Sequence, residues 1–270
     1  MKIVAISSGK GGVGKTTVTC QLALALADQD KKILIVDGDL GLANIDIHFG
    51  VRPISHIGDV LTGKSIASCI TPLLTNVDLI AGGSGLVELT RLNAFQRREI
   101  INQVQDLQFQ YDIALIDTAS GIYDHVLHLN AIADECIVVV TPDPSSFADA
   151  YALIKVLHQK YKLQNFKILF NHLRSNNGAH LFVKFSEVVE KFLSVRLSYA
   201  GGLMYDEQII KAQQQQRLIM RQNYESLTQQ IFKHMAVDLL AQEEFNSYSN
   251  RKAIQNAGLE AIFRPASGHA

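Results

Sequence analysis

The stretch that decides the fold is Gly9-Lys10-Gly11-Gly12-Val13-Gly14-Lys15-Thr16-Thr17. The β-branched run at 2–7 precedes it and predicts a strand, and the apolar run at 18–27 follows it and predicts a helix. A glycine loop between a strand and a helix is the context that a phosphate-binding loop requires. Glycine has no Cβ, so successive backbone N–H groups can converge on one anion. The N-terminal end of the following helix adds a partial positive charge.

The loop fills every fixed position of the G-x-x-x-x-G-K-[ST] pattern, with Gly9, Gly14, Lys15 and Thr16. The pattern predicts that Lys15 reaches the β- and γ-phosphates of a nucleotide and that the Thr16 hydroxyl binds Mg²⁺. An ordinary glycine turn is the alternative, and the flanking strand and helix argue against it. The predicted nucleotide-binding residues of the loop are Gly11, Gly12, Val13, Gly14, Lys15, Thr16 and Thr17.

Composition limits the class of protein. The chain has 270 residues, of which 47% are hydrophobic and 19% charged, as in a soluble globular protein. Its formal net charge of −1 gives no electrostatic argument for nucleic-acid binding, so no direct contact with nucleic acid is expected. No run approaches the roughly eighteen apolar residues of a membrane span. A first strand from residue 2 leaves no room for a signal peptide, so we expect a cytoplasmic protein.

The cysteines support the same compartment. Cys20, Cys69 and Cys136 are far apart in the sequence and form no C-x-x-C pair. This spacing is typical of a reducing cytoplasm and predicts no metal or cluster site. We expect all three to be small buried residues.

Apolar runs alternate with helical patterns along the rest of the chain. Mainly apolar runs, typical of parallel strands covered on both faces, occur at 32–36, 77–81, 111–118, 135–140 and 167–170. Alternation of this kind predicts an α/β fold with a doubly wound, mainly parallel sheet flanked by helices. We expect one such domain over residues 1–242. A linker and C-terminal tail follow at 243–270, with a weak amphipathic helix at 251–264.

Two of the predicted helices carry a capping signal. Asn93 precedes a helical run that extends to about residue 107, and we expect it to cap that helix. Ser146 precedes a run that extends to about residue 158, and Asp149 stands three residues later, in capping-box spacing. We therefore expect the two helices to begin directly after Asn93 and Ser146.

Three acids follow predicted strands. Asp37 and Asp39 come directly after one strand, and Asp117 ends another. Ligands in open α/β sheets bind at the carboxyl ends of the strands, so these carboxylates are expected near the phosphates. Phosphoryl transfer also needs a divalent ion and a group that places the attacking water. We expect Thr16, Asp39 and Asp117 to hold Mg²⁺. Asp39 is the candidate to orient or deprotonate the water, with Asp37 nearby, and a helix cap is the alternative for Asp117.

Lys10 is a second lysine in the loop, beyond the Lys15 that the pattern requires. Because glycines flank it, it could swing toward the phosphates of a neighbouring subunit. A lysine that simply faces water is the alternative, and spacing alone leaves both readings open. Together with Asp39 and Lys15, Lys10 is a candidate catalytic residue.

The stretch at 10–16 resembles the deviant Walker A motif of the MinD/ParA ATPases. In that family the extra lysine crosses an ATP-sandwich dimer to the partner's phosphates, which implies that role for Lys10. The stretch at 37–39 resembles the family's switch I, whose second acid is essential for hydrolysis, and 117–121 resembles its Walker B and switch II. The resemblance implies an ATPase that binds ATP or ADP with Mg²⁺. A binding module that keeps ATP as a structural ligand is the alternative.

The same resemblance extends to the nucleotide base. Asn171 stands at the position that recognises adenine in this family, and a plain turn asparagine is the alternative. Tyr205 and Asp206 follow Met204, which replaces the usual proline of the loop that closes on the base. The resemblance therefore implies that Asn171, Tyr205 and Asp206 belong to the nucleotide site.

The stretches at 39–46 and 144–155 resemble the flagellar-number regulators FlhG and FleN, a branch of that family. This resemblance implies a Mg-ATP-dependent dimerising ATPase with slow regulatory hydrolysis that controls flagellar number or placement. The implied partners are a second copy of the chain and an FlhF-type GTPase or a flagellar master transcription activator. A ParA-like partitioning ATPase or a septum-site-positioning ATPase is the alternative. Lys and Arg number 25 against 26 Asp and Glu, with no basic run, which argues against a DNA-binding partitioning protein.

The apolar face of the segment at 251–264 leads to a further hypothesis. One copy of so short a segment would bind a membrane surface only weakly after the loss of its conformational entropy. Two copies joined in a dimer gain through effective concentration. This predicts ATP-dependent contact with a membrane surface, which the resemblance to the flagellar regulators implies is the cytoplasmic face of the inner membrane, at a cell pole. A helix packed on its own domain, or a disordered tail, is the alternative.

Overall fold

The computed structural model describes residues 1–39, 43–83, 93–215, 217–222 and 226–241. Within these ranges the chain forms an eight-stranded sheet with helices on both faces. The strands are β1 (Lys2–Ser7), β2 (Ile33–Gly38), β3 (Ile70–Leu74), β4 (Val77–Ile80), β5 (Ile113–Thr118), β6 (Glu135–Val140), β7 (Asn165–Leu173) and β8 (Arg196–Met204). The α-helices are α1 (Lys15–Ala27), α2 (Ile45–Phe49), α3 (Ala94–Asp106), α4 (Asp124–Ala131), α5 (Pro144–Tyr161), α6 (Gly178–Phe192), α7 (Glu207–Gln214) and α8 (Leu227–Ala241).

The sheet is mainly parallel, and β1 lies at its centre. The order across the described sheet is β3-β4-β2-β5-β1-β6-β7-β8. β3 runs antiparallel to β4, and the other neighbouring strands pair in parallel. This confirms the predicted doubly wound sheet. β1 continues through α1 to β2 on one side, whereas its neighbour β6 continues through α5 to β7 on the other, so the carboxyl end of β1 lies at a switch point, where open α/β sheets bind their ligands.

The two faces of the sheet pack against different helices. Val4 and Ile6 lie in the core formed with α1 and α8, whereas Ile3 and Ala5 lie in the core formed with α3. This alternation is the two-residue period of a strand. Since both faces are covered, both sets are apolar and the strand reads as one continuous apolar run. α1 is itself buried at every residue from Val18 to Ala27, which places the phosphate-loop helix inside the molecule.

The structure confirms one predicted helix cap and overturns the other. Asn93 Oδ1 accepts the N–H of Gln96 at 2.9 Å, and Gln96 Oε1 accepts the N–H of Asn93 at 3.0 Å, so the cap of α3 is confirmed. The prediction that Ser146 caps α5 is wrong. Asp143 caps that helix by accepting the N–H of Ser146 at 3.0 Å, and Pro144 is its first residue. Proline is favoured at this position because the N–H groups of the first turn have no acceptor within the helix, so the N–H that proline lacks costs no helical hydrogen bond.

Two further predictions concern the ends of the domain and the thiols. Cys20, Cys69 and Cys136 are buried and free of disulfides, as expected. The predicted linker and tail at 243–270, with the helix at 251–264, lie outside the described residues, and the domain boundary near residue 242 stays a prediction. Among the described helices, none is long and apolar enough to cross a membrane.

A buried ionic cluster joins the amino ends of the central strands to α8. Lys2 Nζ pairs with Glu135 and donates to the Leu239 carbonyl oxygen at 2.7 Å. Lys167 Nζ lies 2.8 Å from the other carboxylate oxygen of Glu135. The side chains of Lys2, Glu135 and Lys167 are only 9, 13 and 14% exposed. One carboxylate therefore balances two ammonium groups that are withdrawn from water.

We predict that Glu135→Ala lowers the free energy of unfolding by about 3–5 kcal/mol, because it leaves two buried ammonium groups without a counter-charge. Urea unfolding followed by circular dichroism measures the loss. Lys160→Ala is the control, since it removes an exposed pair with Asp124 whose side chains are 49 and 69% exposed. That pair should contribute about 1 kcal/mol or less. Equal losses in the two variants would contradict the argument.

Candidate functional site

The loop between β1 and α1 has the backbone geometry of an anion cradle. Gly12 and Gly14 have φ angles of 75° and 91°, in the left-handed region that glycine tolerates. Gly9 has no room for a side chain, because a Cβ there would lie 2.2 Å from the carbonyl carbon of Asp149. α1 begins at Lys15, so the free N–H groups of its first turn face the loop. The predicted phosphate-binding residues thus surround one concave stretch of backbone.

Lys15, the first residue of α1, is half-buried beside this loop. Its Nζ donates to Ser8 Oγ at 3.0 Å. Burial lowers the pKa of Lys15, while the carboxylates of Asp117 and Asp39 act in the opposite direction. An ammonium group that has lost much of its water interacts strongly with an anion brought beside it. The position is therefore suited to the predicted contact with phosphate.

Thr16 and Asp117 meet where α1 passes the end of β5. Thr16 Oγ1 donates to Asp117 Oδ2 at 2.7 Å, and Thr19 Oγ1 donates to Asp117 Oδ1 at 3.2 Å. Asp117 is 1% exposed, and burial raises its pKa to about 6 despite the hydrogen bond from Thr16 and the charge of Lys15. The hydroxyl and the carboxylate form a pair of hard oxygen ligands, which is the kind that Mg²⁺ takes together with phosphate and water.

The oxygen ligands that the protein offers fit a Mg²⁺ ion that is also bound by phosphate. In the part of the chain that the structure describes, no group of three His, Cys, Asp or Glu side chains could hold a metal alone. Mg²⁺ in nucleotide sites usually keeps several waters and takes one or two protein carboxylates. Asp39 is partly exposed, and its charge acts on both Lys15 and Asp117, so it lies within electrostatic range of this group.

Asp37 has a structural position rather than an open one. Its carboxylate accepts the backbone N–H groups of Asp39, Asn44 and Ile45 at 3.1, 3.0 and 3.3 Å. It is 1% exposed, and burial, followed by the nearby Asp117 carboxylate, raises the pKa of Asp37 to about 7. The sheet register pairs Asp37 with Asp117. Asp37 therefore anchors the backbone around Asp39, and the Asp39 side chain itself is partly exposed.

Lys10 contacts the beginning of α5 in its own chain. Its Nζ donates to Ser145 Oγ at 2.8 Å and to Asp143 Oδ1 at 3.1 Å. Hydrogen bonds from the hydroxyls of Ser145 and Thr141 and from the N–H of Ser146 hold the pKa of Asp143 well below its usual range. The side chains of Lys10 and Asp143 are 42 and 41% exposed. The predicted reach of Lys10 to a second subunit would thus begin from an internal ion pair.

Asn171 lies against the phosphate loop at the far end of β7. Its Nδ2 donates to the Val13 carbonyl oxygen at 2.8 Å, and its Oδ1 accepts the N–H of His172 at 2.9 Å. The residue is 8% exposed. The Asn171 amide thus binds the phosphate loop at the residue before Gly14. Its contact with adenine stays a prediction.

Tyr205 and Asp206 directly follow β8, which pairs with β7, the strand that carries Asn171. The Tyr205 N–H donates to the Leu173 carbonyl oxygen at 2.7 Å. The Tyr205 ring is 53% exposed and meets the His172 ring edge-on, with 6.2 Å between the centroids. Asp206 directly precedes α7. The three predicted base-binding residues therefore belong to the carboxyl ends of two paired strands, and their contact with a base stays a prediction.

Ser8 and Thr19 belong to the site and were missed in the sequence. Ser8 Oγ accepts from Lys15 Nζ at 3.0 Å and donates to the Lys10 carbonyl oxygen at 2.6 Å. Thr19 stands one helical turn after Lys15 and reaches Asp117. Neither residue occupies a fixed position of the loop pattern, so position next to the loop was the sole signal for them.

The chain is similar to proteins of known role. A family model described as an AAA domain matches residues 1–170. The antiactivator FleN of Pseudomonas aeruginosa is 38% identical over 221 residues, which are 81% of this chain and 79% of FleN. The flagellum site-determining protein YlxH of Helicobacter pylori is 30% identical over 222 residues, 82% of this chain and 75% of YlxH. The septum site-determining protein MinD of Bacillus subtilis is 32% identical over 214 residues, 77% of this chain and 78% of MinD.

Solved structures share the fold. MinD of Pyrococcus horikoshii, solved as a complex with Mg-ADP, has a TM-score of 0.72 and 26% identity and covers 89% of this chain and 97% of its own. The Aquifex aeolicus MinD in a MinC:MinD complex has a TM-score of 0.76 and 23% identity and covers 89% of this chain and 96% of its own.

We predict that Thr16→Ala weakens the Mg²⁺-dependent part of ATP binding by about tenfold or more, because the metal loses a protein ligand. A fluorescent ATP analogue, titrated with Mg²⁺ and again with EDTA, measures this part. Affinity in EDTA should change less than about twofold, since the backbone cradle is intact. Thr62→Ala is the control, because its hydroxyl donates to the nearby Asp59 carbonyl oxygen, at 2.8 Å. Equal effects of Mg²⁺ on wild type and Thr16→Ala would exclude Thr16 as a ligand.

Proposed function

The chain belongs to the MinD/ParA family of P-loop ATPases, in the branch of the flagellar-number regulators, and we propose that ATP switches it between a monomer and a dimer. It is a nucleotide-binding ATPase of the MinD type that regulates flagellar number. The observation that carries the proposal is the loop with two lysines. Lys15 is half-buried beside its own phosphate loop, where it bonds Ser8, whereas Lys10 forms a more exposed ion pair with Asp143.

The proposed hydrolysis uses the residues gathered at the ends of β1, β2 and β5. The backbone N–H groups of the loop would hold the phosphates, and Lys15 would pair with the β- and γ-phosphate oxygens. Thr16 and Asp117 would hold Mg²⁺, which supplies positive charge at the phosphates when bound. Asp39 would orient the attacking water, because it is the partly exposed acid within electrostatic range of Lys15 and Asp117.

Dimerisation would require Lys10 to leave Asp143 and Ser145. Pairs of this exposure contribute only about 0–1 kcal/mol, so the release costs little. A new contact with the phosphates of a second subunit would be shielded from water between the two chains, where an ion pair is stronger. Two symmetric copies of this contact would form in one dimer. The difference between the two environments of Lys10 would make dimerisation depend on ATP.

The proposed partners follow from the same assignment. A second copy of the chain is the first, and an FlhF-type GTPase or a flagellar master transcription activator is the second. The name of one relative, antiactivator FleN, supports the transcription activator. Identity of 38% to FleN against 32% to MinD favours the flagellar role over septum positioning. Peripheral contact with the cytoplasmic face of the inner membrane rests on the sequence pattern at 251–264.

We predict that Asp39→Ala leaves the affinity for ATP within about twofold and lowers kcat about tenfold or more, since positioned general-base groups contribute roughly 10²–10⁴ in rate. Phosphate release under saturating Mg-ATP measures kcat. Asp46→Ala is the matched control, as it removes a nearby acid of the same segment. Unchanged turnover in Asp39→Ala would show that Asp39 does not place the water. Loss of ATP binding would instead assign it a role in the nucleotide cradle.

We predict that Lys10→Ala abolishes ATP-dependent dimerisation. The experiment compares Asp39→Ala with the Asp39→Ala, Lys10→Ala double variant by size-exclusion chromatography with light scattering, in Mg-ATP and in Mg-ADP. Slow hydrolysis in this background should preserve the ATP state. Only the variant that keeps Lys10 should elute as a dimer, and only in ATP. Lys64→Ala is the control, because Lys64 is also an exposed lysine paired with one carboxylate, at 2.9 Å from Asp59. A dimer in the absence of Lys10 would contradict the proposed crossing contact.

A further inference from the structure

Four buried polar side chains form a continuous hydrogen-bonded chain beneath the phosphate loop. They come from four elements, Ser7 of β1, Thr118 of β5, Asn130 of α4 and Cys136 of β6, and are 0, 1, 0 and 4% exposed. Ser7 Oγ lies 2.8 Å from Thr118 Oγ1 and 2.8 Å from Asn130 Oδ1. Cys136 Sγ lies 2.9 Å from the same Asn130 oxygen. Buried polar groups of this kind are retained only where each finds a partner.

The donors in this chain can be assigned from its geometry. Asn130 Nδ2 donates to the Val126 carbonyl oxygen at 2.8 Å, so the other amide atom, Oδ1, faces Ser7 and Cys136 as an acceptor. The single hydroxyl proton of Ser7 is then used toward Asn130. A hydrogen bond between Ser7 and Thr118 then takes its proton from Thr118. Asn130 therefore sets the direction in which the hydroxyl groups of this hydrogen-bonded chain donate.

Thr118 has other acceptors when this direction is lost. Its Oγ1 lies 3.0 Å from the Ile6 carbonyl oxygen and 3.0 Å from the Ala119 carbonyl oxygen. Without the acceptor on Asn130, the Ser7 proton would turn to Thr118, and the Thr118 proton would turn to one of these carbonyls. The hydroxyl protons of Ser7 and Thr118 can thus be arranged in two ways, one of which uses the Asn130 acceptor.

The hydrogen-bonded chain ends next to residues of the candidate ATP site. Ser7 and Thr118 are the last residues of β1 and β5, so each is followed by a loop of the site. Ser8 accepts from Lys15 Nζ through its hydroxyl, and its carbonyl oxygen accepts the N–H of Gly121 at 3.0 Å. Thr118 directly follows Asp117, the carboxylate that binds Thr16. The hydroxyl pair of Ser7 and Thr118 therefore joins the start of the phosphate loop to the turn after β5.

We propose that Asn130 is a positioning residue for ATP hydrolysis, which it serves by holding the hydroxyls of Ser7 and Thr118 so that the phosphate loop and the turn after β5 keep their relative placement. This inference rests on the proposed function. Nucleotide binding depends on the backbone cradle and Lys15, and among the described residues no hydrogen bond joins either of them to Asn130. Hydrolysis depends also on the placement of the groups around Asp117, where a shift of about 1 Å can change a rate about 100-fold. Loss of these hydrogen bonds should therefore lower kcat and leave the affinity for ATP nearly unchanged.

The test compares Asn130→Leu, Asn130→Asp and Val126→Ala in the full chain. Asn130→Leu removes both amide functions at similar volume. Asn130→Asp keeps an oxygen acceptor for Ser7 and Cys136. Val126→Ala opens a cavity in the same helix at a residue that is 0% exposed, and leaves the polar chain and the Val126 carbonyl in place. The measurements are kcat for phosphate release, the Kd of a fluorescent ATP analogue, and the midpoint of urea unfolding.

Asn130→Leu should lower kcat about fivefold or more with Kd within about twofold, while Asn130→Asp should stay within about threefold of wild-type kcat. Val126→Ala should unfold at lower urea and keep kcat within about twofold. Wild-type turnover in Asn130→Leu would overturn the proposal, as would an equal loss of kcat in Val126→Ala, which would make the effect one of stability. If Asn130→Leu does not fold, Thr118→Val takes its place, because it breaks the same hydrogen-bonded chain at the other end. Thr118→Val must then lower kcat and leave Kd nearly unchanged. Absence of ATP hydrolysis by the wild type would instead contradict the proposed function.

Discussion

The buried carboxylate of Asp117 is the constraint on which the rest of the site depends. A carboxylate that is 1% exposed at the end of a central strand needs donors close by, because an unpaired buried charge is costly. Thr16 and Thr19 supply them from one face of α1, and Lys15 adds a positive charge. This pairing holds the first turn of α1 against β5. The glycine loop between β1 and α1 must then close over a short gap, which brings its N–H groups together.

The two lysines of the loop show how one stretch of sequence can serve two environments. Lys15 is held inside the site by Ser8 and by the charges of Asp117 and Asp39, which leaves it little freedom. Lys10 is bound to Asp143 and Ser145 on the surface of the same chain, where water weakens the pair. The first lysine is suited to a fixed role within one subunit. The second is suited to a switch, because its present contacts are weak enough to be exchanged.

Local signals were sufficient where a residue's partner is close in sequence. The cap of α3 could be predicted because Asn93 and Gln96 are three residues apart and bond each other. The beginning of α5 was predicted wrongly, because Asp143 and Ser146 both satisfy a local capping rule. Pro144 and the contact with Lys10 favour Asp143 as the cap, and Ser146 instead accepts the N–H of Thr141 at 3.0 Å. Pro144 is itself a local signal, because proline is favoured at the first helical position, and it separates the two candidate caps.

The sequence by itself determined the class of fold, the phosphate loop and the family. These depend on features that stand side by side in the chain: glycine spacing, a lysine and a threonine after it, and apolar runs that end in acids. Only the tertiary structure decided which groups meet. It assigned Asp37 to three backbone N–H groups and left Asp39 partly exposed, placed Asn171 on Val13, and joined Asn130 to Ser7. The last two contacts link residues 158 and 123 positions apart. The order and register of the parallel strands determine such distant contacts, because they set which strand ends lie next to each other.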